Sequence, residues 1–294
     1  MEKQEIVVVT DSVANIPKNL IERYKISVLP VFLRYNDKFF RNGIDITNEE
    51  VYKRIEKGEI PGASQIPLGV FLNAYKSLLK DFKSIISIHL TSKLSGTYSS
   101  AVSASNQISP SKIKVFDSKS VLMAEGFQVL EAARAAEAGE KIEDILKKLN
   151  YLRNNIKEYI TIDTLKYLQK IGKGRIPNIQ ILMAIATKLN IKPILSLKGG
   201  KIALSKIVRS RRKALDELVN KIYSDFGNKI KLRMAIMHAL AKEEAIKLKN
   251  VFMEKLDCVE VIVADANPVI GGIGGPGLIG IAAYPAKIPT EISK

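Results

Sequence analysis

The chain has 294 residues, 46% hydrophobic and 26% charged, a balance that excludes intrinsic disorder and suggests two domains at roughly 100–200 residues each. Its formal net charge is +16, from 46 Lys+Arg against 30 Asp+Glu. One cysteine, Cys258, excludes a disulfide framework and a cysteine-built zinc site, and two histidines, His89 and His238, exclude a histidine-rich metal centre.

Glu5–Thr10 (EIVVVT) is a β-branched apolar run that predicts a buried strand, followed by Asp11-Ser12 with capping chemistry and Pro17 at the next helical turn. Ile26–Leu33 reads as a strand, Asn48–Gly58 as a helix capped at Thr47, Val70–Leu79 as a helix and Ser84–Leu90 as a strand. Ser95-Gly96-Thr97 opens a helix through Asn106, and Lys112–Phe116 is a strand ending in Asp117-Ser118. Helices follow over Ser120–Ala138 and Ile142–Tyr159. This alternation of strand and helix predicts a parallel sheet with helices on both faces.

The second half reads differently. A helix is expected over Ile179–Leu189, and Gly199-Gly200 between Pro193–Leu197 and Lys201–Ala203 signals a hairpin. Ser210–Asp225 is a basic helix, Lys231–His238 a strand, Lys242–Glu254 a helix, and Val259–Val263 and Leu278–Ala283 strands. A hairpin amid α/β units implies a mixed sheet. The expected architecture is therefore α/β, with a parallel-sheet domain over 1–158 and a smaller mixed-sheet domain over 159–294.

No charge occurs between Asp265 and Lys287, but three prolines (Pro268, Pro276, Pro285) and six glycines in that stretch argue against a spanning helix. It reads as buried loop and strand. The start, MEKQEIVVVTDS, lacks the pattern of a signal peptide. With a single thiol, the expected compartment is a reducing cytoplasm.

The charge is unevenly placed: residues 151–220 alone hold 15 Lys+Arg against 4 Asp+Glu, densest at Arg209, Arg211, Arg212 and Lys213. Such a face suits an acidic protein or phosphates. Nucleic acid is not expected, because Trp is absent, aromatics are 6%, and no aromatic-basic interleaving for base stacking is present.

The chemistry-bearing motifs narrow the reading further. There is no G-x-x-x-x-G-K-[ST] phosphate loop and no G-x-S-x-G elbow. Gly272–Gly277 fits G-x-G-x-x-G, but a strand follows it rather than a long helix, so it reads as a tight glycine turn. Three strand ends carry hydroxyls and carboxylates: Thr10-Asp11-Ser12, Thr91–Thr97 and Asp117-Ser118. In a parallel sheet these ends share one edge, where ligands bind. Ser95, Gly96 and Thr97 at a helix start form an anion site, with backbone N–H groups free to donate. Asp11 and Asp117 read as caps or loop fasteners, His89 and His238 as structural, and Cys258 as a small core residue. No strong nucleophile with its base accompanies Ser95. The residues suit holding a carboxylate more than cutting a bond. An enzyme acting in the inter-domain cleft, a hydrolase or transferase, is the alternative.

Several segments resemble the DegV family of bacterial fatty-acid-binding proteins: VVTDSVANIP, ASQIPLGVF at Ala63–Phe71, SIHLTSKLSGTYSSA at Ser87–Ala101, VFDSKS, DTLKYLQKIGKGRI at Asp163–Ile176, and PVIGGIGGPGLIG. The resemblance implies an α/β/α domain followed by a smaller α/β domain, with a long-chain fatty acid between them. It also implies a cytoplasmic protein of phospholipid metabolism without turnover or cofactor of its own. Its partner would be an ATP-dependent fatty-acid kinase that docks on a basic face and makes an acyl phosphate. Carried over by position, the ligand contacts fall on Ala63, Ser64, Ser95, Gly96 and Thr97, with Arg175 facing the kinase or the phosphate. Two positions depart from the family pattern. Ala63 stands where a threonine is usual, and Ile273 where a histidine precedes the glycine-proline-glycine segment. Both departures remove a side-chain hydrogen-bonding group from the head-group end.

Overall fold

The computed structural model describes residues 4–171 and 191–289. The predicted Ile179–Leu189 helix, and Arg175 with it, lie outside these residues.

The first sheet is built from β1 (Gln4–Asp11), β2 (Ser27–Leu29), β6 (Phe82–His89) and β7 (Ile113–Asp117), all parallel in the order β2-β1-β6-β7. Strands buried on both faces read as continuous apolar runs. In β1, Val7, Val8 and Val9 are all buried. Between β2 and β6 the chain forms a small antiparallel sheet from β3 (Phe32–Tyr35), β4 (Lys38–Arg41) and β5 (Gly62–Ser64), in the order β4-β3-β5. The predicted single strand over Ile26–Leu33 is thus two strands in two sheets. Pro30, with no N–H to donate, ends the first ladder, and the next amide, Val31 N, bonds the Ser12 hydroxyl instead (3.0 Å).

The helices of this half are α1 (Lys18–Arg23), α2 (Asn48–Glu56), α3 (Leu68–Asp81), α4 (Thr97–Ile108), α5 (Leu122–Glu137) and α6 (Ile142–Asn155). The Thr47 side chain caps α2, as expected. Helix α6 ends at Asn155, where the sequence suggested Tyr159, because residues 157–161 form β8 (Lys157–Thr161).

The second sheet is mixed: β9 (Lys192–Lys198), β10 (Lys201–Val208), β11 (Leu232–His238), β12 (Cys258–Asp265) and β13 (Ile279–Pro285) join β8 in the order β10-β9-β8-β13-β11-β12. The hairpin at Gly199-Gly200 forms as predicted, with both glycines at positive φ. Helices α7 (Arg211–Phe226) and α8 (Lys242–Lys255) enclose a separate apolar core on one face of this sheet. The uncharged 266–286 stretch holds a short helix, α9 (Pro268–Gly274), besides the expected loop and strand. Asn267 caps it and Pro268 occupies its first turn.

Helix α5 joins the two sheets. Twelve of its sixteen residues are buried, as fits a helix covered on every side. On one side Gly126 packs so closely that a Cβ there would lie 2.4 Å from the Ala14 carbonyl oxygen. On the other, Phe127 stacks on Tyr284 of β13 with ring centroids 4.9 Å apart. One continuous core therefore runs from Val9 through α5 to Ala282 and Tyr284.

Candidate functional site

The parallel edge predicted to bind a ligand opens onto a cavity of about 360 Å³, within the size range of small-molecule sites. Its walls come from both sheets. Val31, Leu90, Leu94, Val121 and Leu122 line one side, and Ile160, Ile162, Leu195, Ile202, Ile270 and Leu278 the other. Its polar rim is Ser64, Gln65, Ser95 and Gly96, with Ala63 beside them. Among the described residues no titratable side chain lines it. Its polar end, at Ser64, Gln65, Ser95 and Gly96, offers hydrogen bonds.

The rim is fixed by contacts between β5 and the start of α4. Thr97 Oγ1 accepts a bond from Ile66 N (3.3 Å) and lies 3.0 Å from Ser95 Oγ. Ser95 Oγ in turn accepts from Thr97 N (3.2 Å), satisfying a helix-start donor. The Gln65 amide donates to Ser100 Oγ (3.3 Å), and its carbonyl lies over Gly96, where a Cβ would come within 1.8 Å. A side chain at this position would displace the Gln65 amide from where it now lies.

The structure thus brings Ala63, Ser64, Ser95 and Gly96 to one cavity end. Thr97 is fully buried and is not among the lining residues; its hydroxyl braces the Ser95 loop. Ile273 projects into the cavity with Ile270 and Gly274. Sequence reasoning missed Gln65 and most of the apolar wall. The signal was present as spacing: Ile160 and Ile162 two apart at the end of β8, and Ile270 and Ile273 three apart on a helix.

A second constellation has the residue types of a nucleophilic triad and the environment of a core. Asp11 Oδ2 lies 3.0 Å from His89 Nδ1, His89 Nε2 lies 2.7 Å from Ser87 Oγ, and the Tyr75 hydroxyl donates to Ser87 Oγ (2.7 Å). All four residues are fully buried. Asp11 also accepts from Leu90 N and Val13 N, each 3.0 Å. Every polar group is matched when His89 carries its proton on Nδ1 and Ser87 donates to Nε2. Ser87 does not line the cavity. The chain of bonds holds the C-terminal ends of β1 and β6 in register, the structural role expected for His89 and the fastening role expected for Asp11. Asp117 likewise fastens its loop, accepting from Ser92 N, Ser92 Oγ and Lys119 N.

Two buried carboxyls flank this region. Burial pushes Glu158 up to about 8, against one long bond from Val121 N (3.5 Å). Burial, reinforced by the Asp11 carboxylate, pushes Glu125 well above the usual carboxylate range. His238 is shifted down by burial. Half-buried Cys258 packs its sulfur against Met234 Sδ (3.4 Å).

The basic stretch is only partly free. Arg211 is paired with Glu244 (2.6 Å), while Arg209, Arg212 and Lys213 are exposed at the start of α7. Among the described residues no helix is long and apolar enough to cross a membrane, and no cluster of His, Cys, Asp and Glu could hold a metal ion.

Comparison with known proteins agrees with this geometry. A family profile described as "Uncharacterised protein, DegV family" matches residues 5–286. Protein DegV of Bacillus subtilis is 33% identical over 278 residues, covering 94% of this chain and 98% of its own length. A DegV domain-containing protein of Staphylococcus aureus is 35% identical over 281 residues, covering 96% and 98%. Among solved structures, a DegV family protein from Thermus thermophilus described for its fatty acid binding superposes with a TM-score of 0.88 at 28% identity, covering 96% and 99%. DegV of Bacillus subtilis, described as a fatty acid binding protein, superposes at 0.84 with 32% identity, covering 96% and 100%. The profile match over residues 5–286, the relatives at 33% and 35% identity and the shared fold place this chain in the DegV family.

Proposed function

We propose that this protein holds a long-chain fatty acid in the cavity between the two sheets, with its carboxylate at Ser64 and Ser95. It then carries the acid or presents it to an ATP-dependent fatty-acid kinase. The observation that carries this reading is the composition of the cavity wall: aliphatic side chains along its length and hydroxyl, amide and backbone donors gathered at one end. An amphiphile with one anionic head fits that division, and the fatty-acid-binding relatives share the fold.

The energetics favour the tail. Burying about 14 methylenes at about 0.8 kcal/mol each gives a gross gain near 11 kcal/mol, while each neutral head-group hydrogen bond is worth about 1 kcal/mol. Binding therefore tolerates Ala63 and Ile273 in place of donors. Residues 1–158 supply the head-group loops, and 159–294 close over the tail. The exposed Arg209, Arg212 and Lys213 offer the basic face on which an acidic surface of the kinase docks. The setting is cytoplasmic, where acyl phosphate feeds phospholipid synthesis.

The test is organic-solvent extraction of purified protein followed by mass spectrometry, and uptake of palmitic or oleic acid by protein stripped of lipid. Stoichiometric acid in either assay supports the reading. Lipid-free protein that also takes up no added acid overturns it, and turnover of an ester or amide in the same preparation would favour a cleft enzyme.

A further inference from the structure

The six-stranded sheet ends on β10 at one side and β12 at the other, and the two edges are built differently. A free edge is a template for another strand, and proteins blunt it by shortness, lysine, proline or a bulge. Among the described residues the other sheet edges carry such devices. β2 and β5 have three residues each, β4 carries Lys38 and Arg41, and β7 carries Lys114. β10 carries Lys201 and Lys206, with a bulge between Leu204 and Lys206. β12 (CVEVIVAD) has no Lys, Pro or Gly, and after a bulge at Val259 its residues 260–265 run in unbroken register with β11. Among the described residues β11 is its only strand partner. The Glu260 carboxylate is paired with Arg233 (2.5 Å) and Arg134 (3.5 Å) of its own chain, so the outer edge offers backbone groups with little free charge.

Helix α8 extends this edge with an apolar flank. It packs over β11 and β12, whereas α7 packs over β8 and β9. Ala245, Leu248 and Phe252 are its buried residues. Glu244, on the flank toward α7, pairs with Arg211 (2.6 Å). At about 100° per residue, Ile246 and Met253 share the opposite flank, which faces away from α7 and toward the free side of β12. They are 43% and 55% exposed, and with Val259 they make three of the ten exposed large hydrophobic side chains among the described residues.

Charge separates the two edges further. Residues 192–213, on the β10 side, hold 8 Lys+Arg and no Asp+Glu, whereas residues 240–265 hold 4 and 6. Six strands spaced about 4.8 Å apart put the edges about 24 Å from each other, beyond a Debye length of about 8–10 Å. Association through β12 leaves the basic stretches of two copies at the far ends of the joined sheet, while association through β10 brings them together.

We propose that β12 and the Ile246–Met253 flank of α8 form an interface with a second copy of this chain, joined about a twofold axis normal to the sheet. Antiparallel pairing centred on Ile262 sets Ile262 against the partner's Ile262, Val261 against the partner's Val263 and Glu260 against the partner's Ala264, so no carboxylate faces another. The same axis lays the two α8 helices side by side on one face and covers Ile246 and Met253. A near-neutral, self-complementary seam suits a second copy better than a strongly acidic or basic partner. β11, β12 and α8 contribute no residue to the lining of the lipid cavity, so the interface is independent of what that cavity holds.

Sedimentation equilibrium of the full chain, with amide hydrogen exchange at low and high protein concentration, tests this. The expected result is a monomer–dimer equilibrium in which the amides of residues 260–265 gain protection as concentration rises. Ile246→Lys with Met253→Lys should weaken the dimer at least about tenfold. Leu204→Lys with Ile207→Lys, the same change at exposed positions of the β10 edge, should leave it unchanged, and circular dichroism checks that both variants are folded. A wild-type chain that stays monomeric up to about 1 mM overturns the proposal, as it would if the edge instead took a strand from a different protein. A dimer without concentration-dependent protection of residues 260–265, or one weakened by the β10 changes and not by the α8 changes, overturns it as well.

Discussion

The Thr91 hydroxyl donates a 2.8 Å hydrogen bond to the Gly200 carbonyl, and this contact docks the β9–β10 turn onto the loop that leads to Ser95. Both residues are buried. The fit is close enough that a Cβ on Gly200 would lie 2.3 Å from Thr91 Oγ1. The strands of that hairpin supply Leu195 and Ile202 to the cavity wall. The Ser95 loop and part of the apolar cavity wall are therefore held by one shared contact.

Replacing Thr91 with valine keeps the volume and strands the Gly200 carbonyl, which should cost about 1–3 kcal/mol of stability. Gly200→Ala should cost more, since it adds a steric clash to a backbone at φ +83° that suits glycine. Urea unfolding midpoints measure both, and an alanine variant no less stable than wild type would show that the docking is loose.

Ser95→Ala should weaken fatty-acid binding by about 1–3 kcal/mol, because a charged acceptor loses a donor. Ser95 Oγ also accepts from Thr97 N, so the same change should lower stability by about 1 kcal/mol through loss of that bond. Ser64→Ala should cost less affinity if backbone donors bear most of the load. Displacement of a fluorescent fatty acid reads the first effect and thermal melting the second. Unchanged affinity in the double variant would place the carboxylate elsewhere.

The parallel sheet, the hairpin, the basic helix and the Ser95 loop were legible because each leaves a local mark: an apolar run, a Gly-Gly pair, a capping serine. What stayed hidden was tertiary. Ile26–Leu33 is apolar but for Ser27, and the bond from Val31 N to Ser12 marks where Pro30 separates two sheets. Helix α6 passes into β8 across Ile156 with apolar residues that satisfy either period. The cavity wall needed the fold, since Leu90, Ile160 and Ile270 are far apart in sequence and no charge or motif links them. The resemblance implied Ser64 and Ser95 as a head-group end, whereas the packing of Gln65 over Gly96 is visible only in three dimensions.

Glu158 makes stability depend on pH. Its folded value is raised to about 8, above the usual 4.3 or so of an unfolded glutamate. The folded chain therefore retains a proton that the unfolded chain releases. The contribution of Glu158 to stability is fully present at pH values below about 4 and is lost as pH rises towards about 8. Glu158→Gln keeps an acceptor for Val121 N and removes the ionisation. The variant should gain stability relative to wild type as pH is raised from about 5 to about 8. Parallel denaturation curves at the two pH values measure this difference, and a constant offset between the proteins would show that Glu158 is not the group responsible.

Ile273 predicts a protein that binds its acid well and yields it poorly to a kinase. Phosphoryl transfer depends on positioning and charge stabilisation around the acceptor oxygen. Ile273 reaches the cavity from α9 beside Gly274, and an isoleucine there supplies neither a hydrogen-bond donor nor a proton-transfer group. Ala63, on the same cavity, removes the hydroxyl of the usual threonine. Ile273→His, alone and with Ala63→Thr, should raise the rate of acyl-phosphate formation with a cognate kinase and ATP. Affinity for the acid should change by less than about tenfold, because the tail contributes most of the binding free energy. The split between the two readouts is the diagnostic: a histidine that merely stabilised the fold would move melting temperature and affinity together and leave the rate at saturating protein unchanged. Full-rate phosphorylation of the acid on the unaltered protein would show that the Ser64 and Ser95 end suffices without the histidine, and the Ile273 argument would fall while the lipid-binding reading stood.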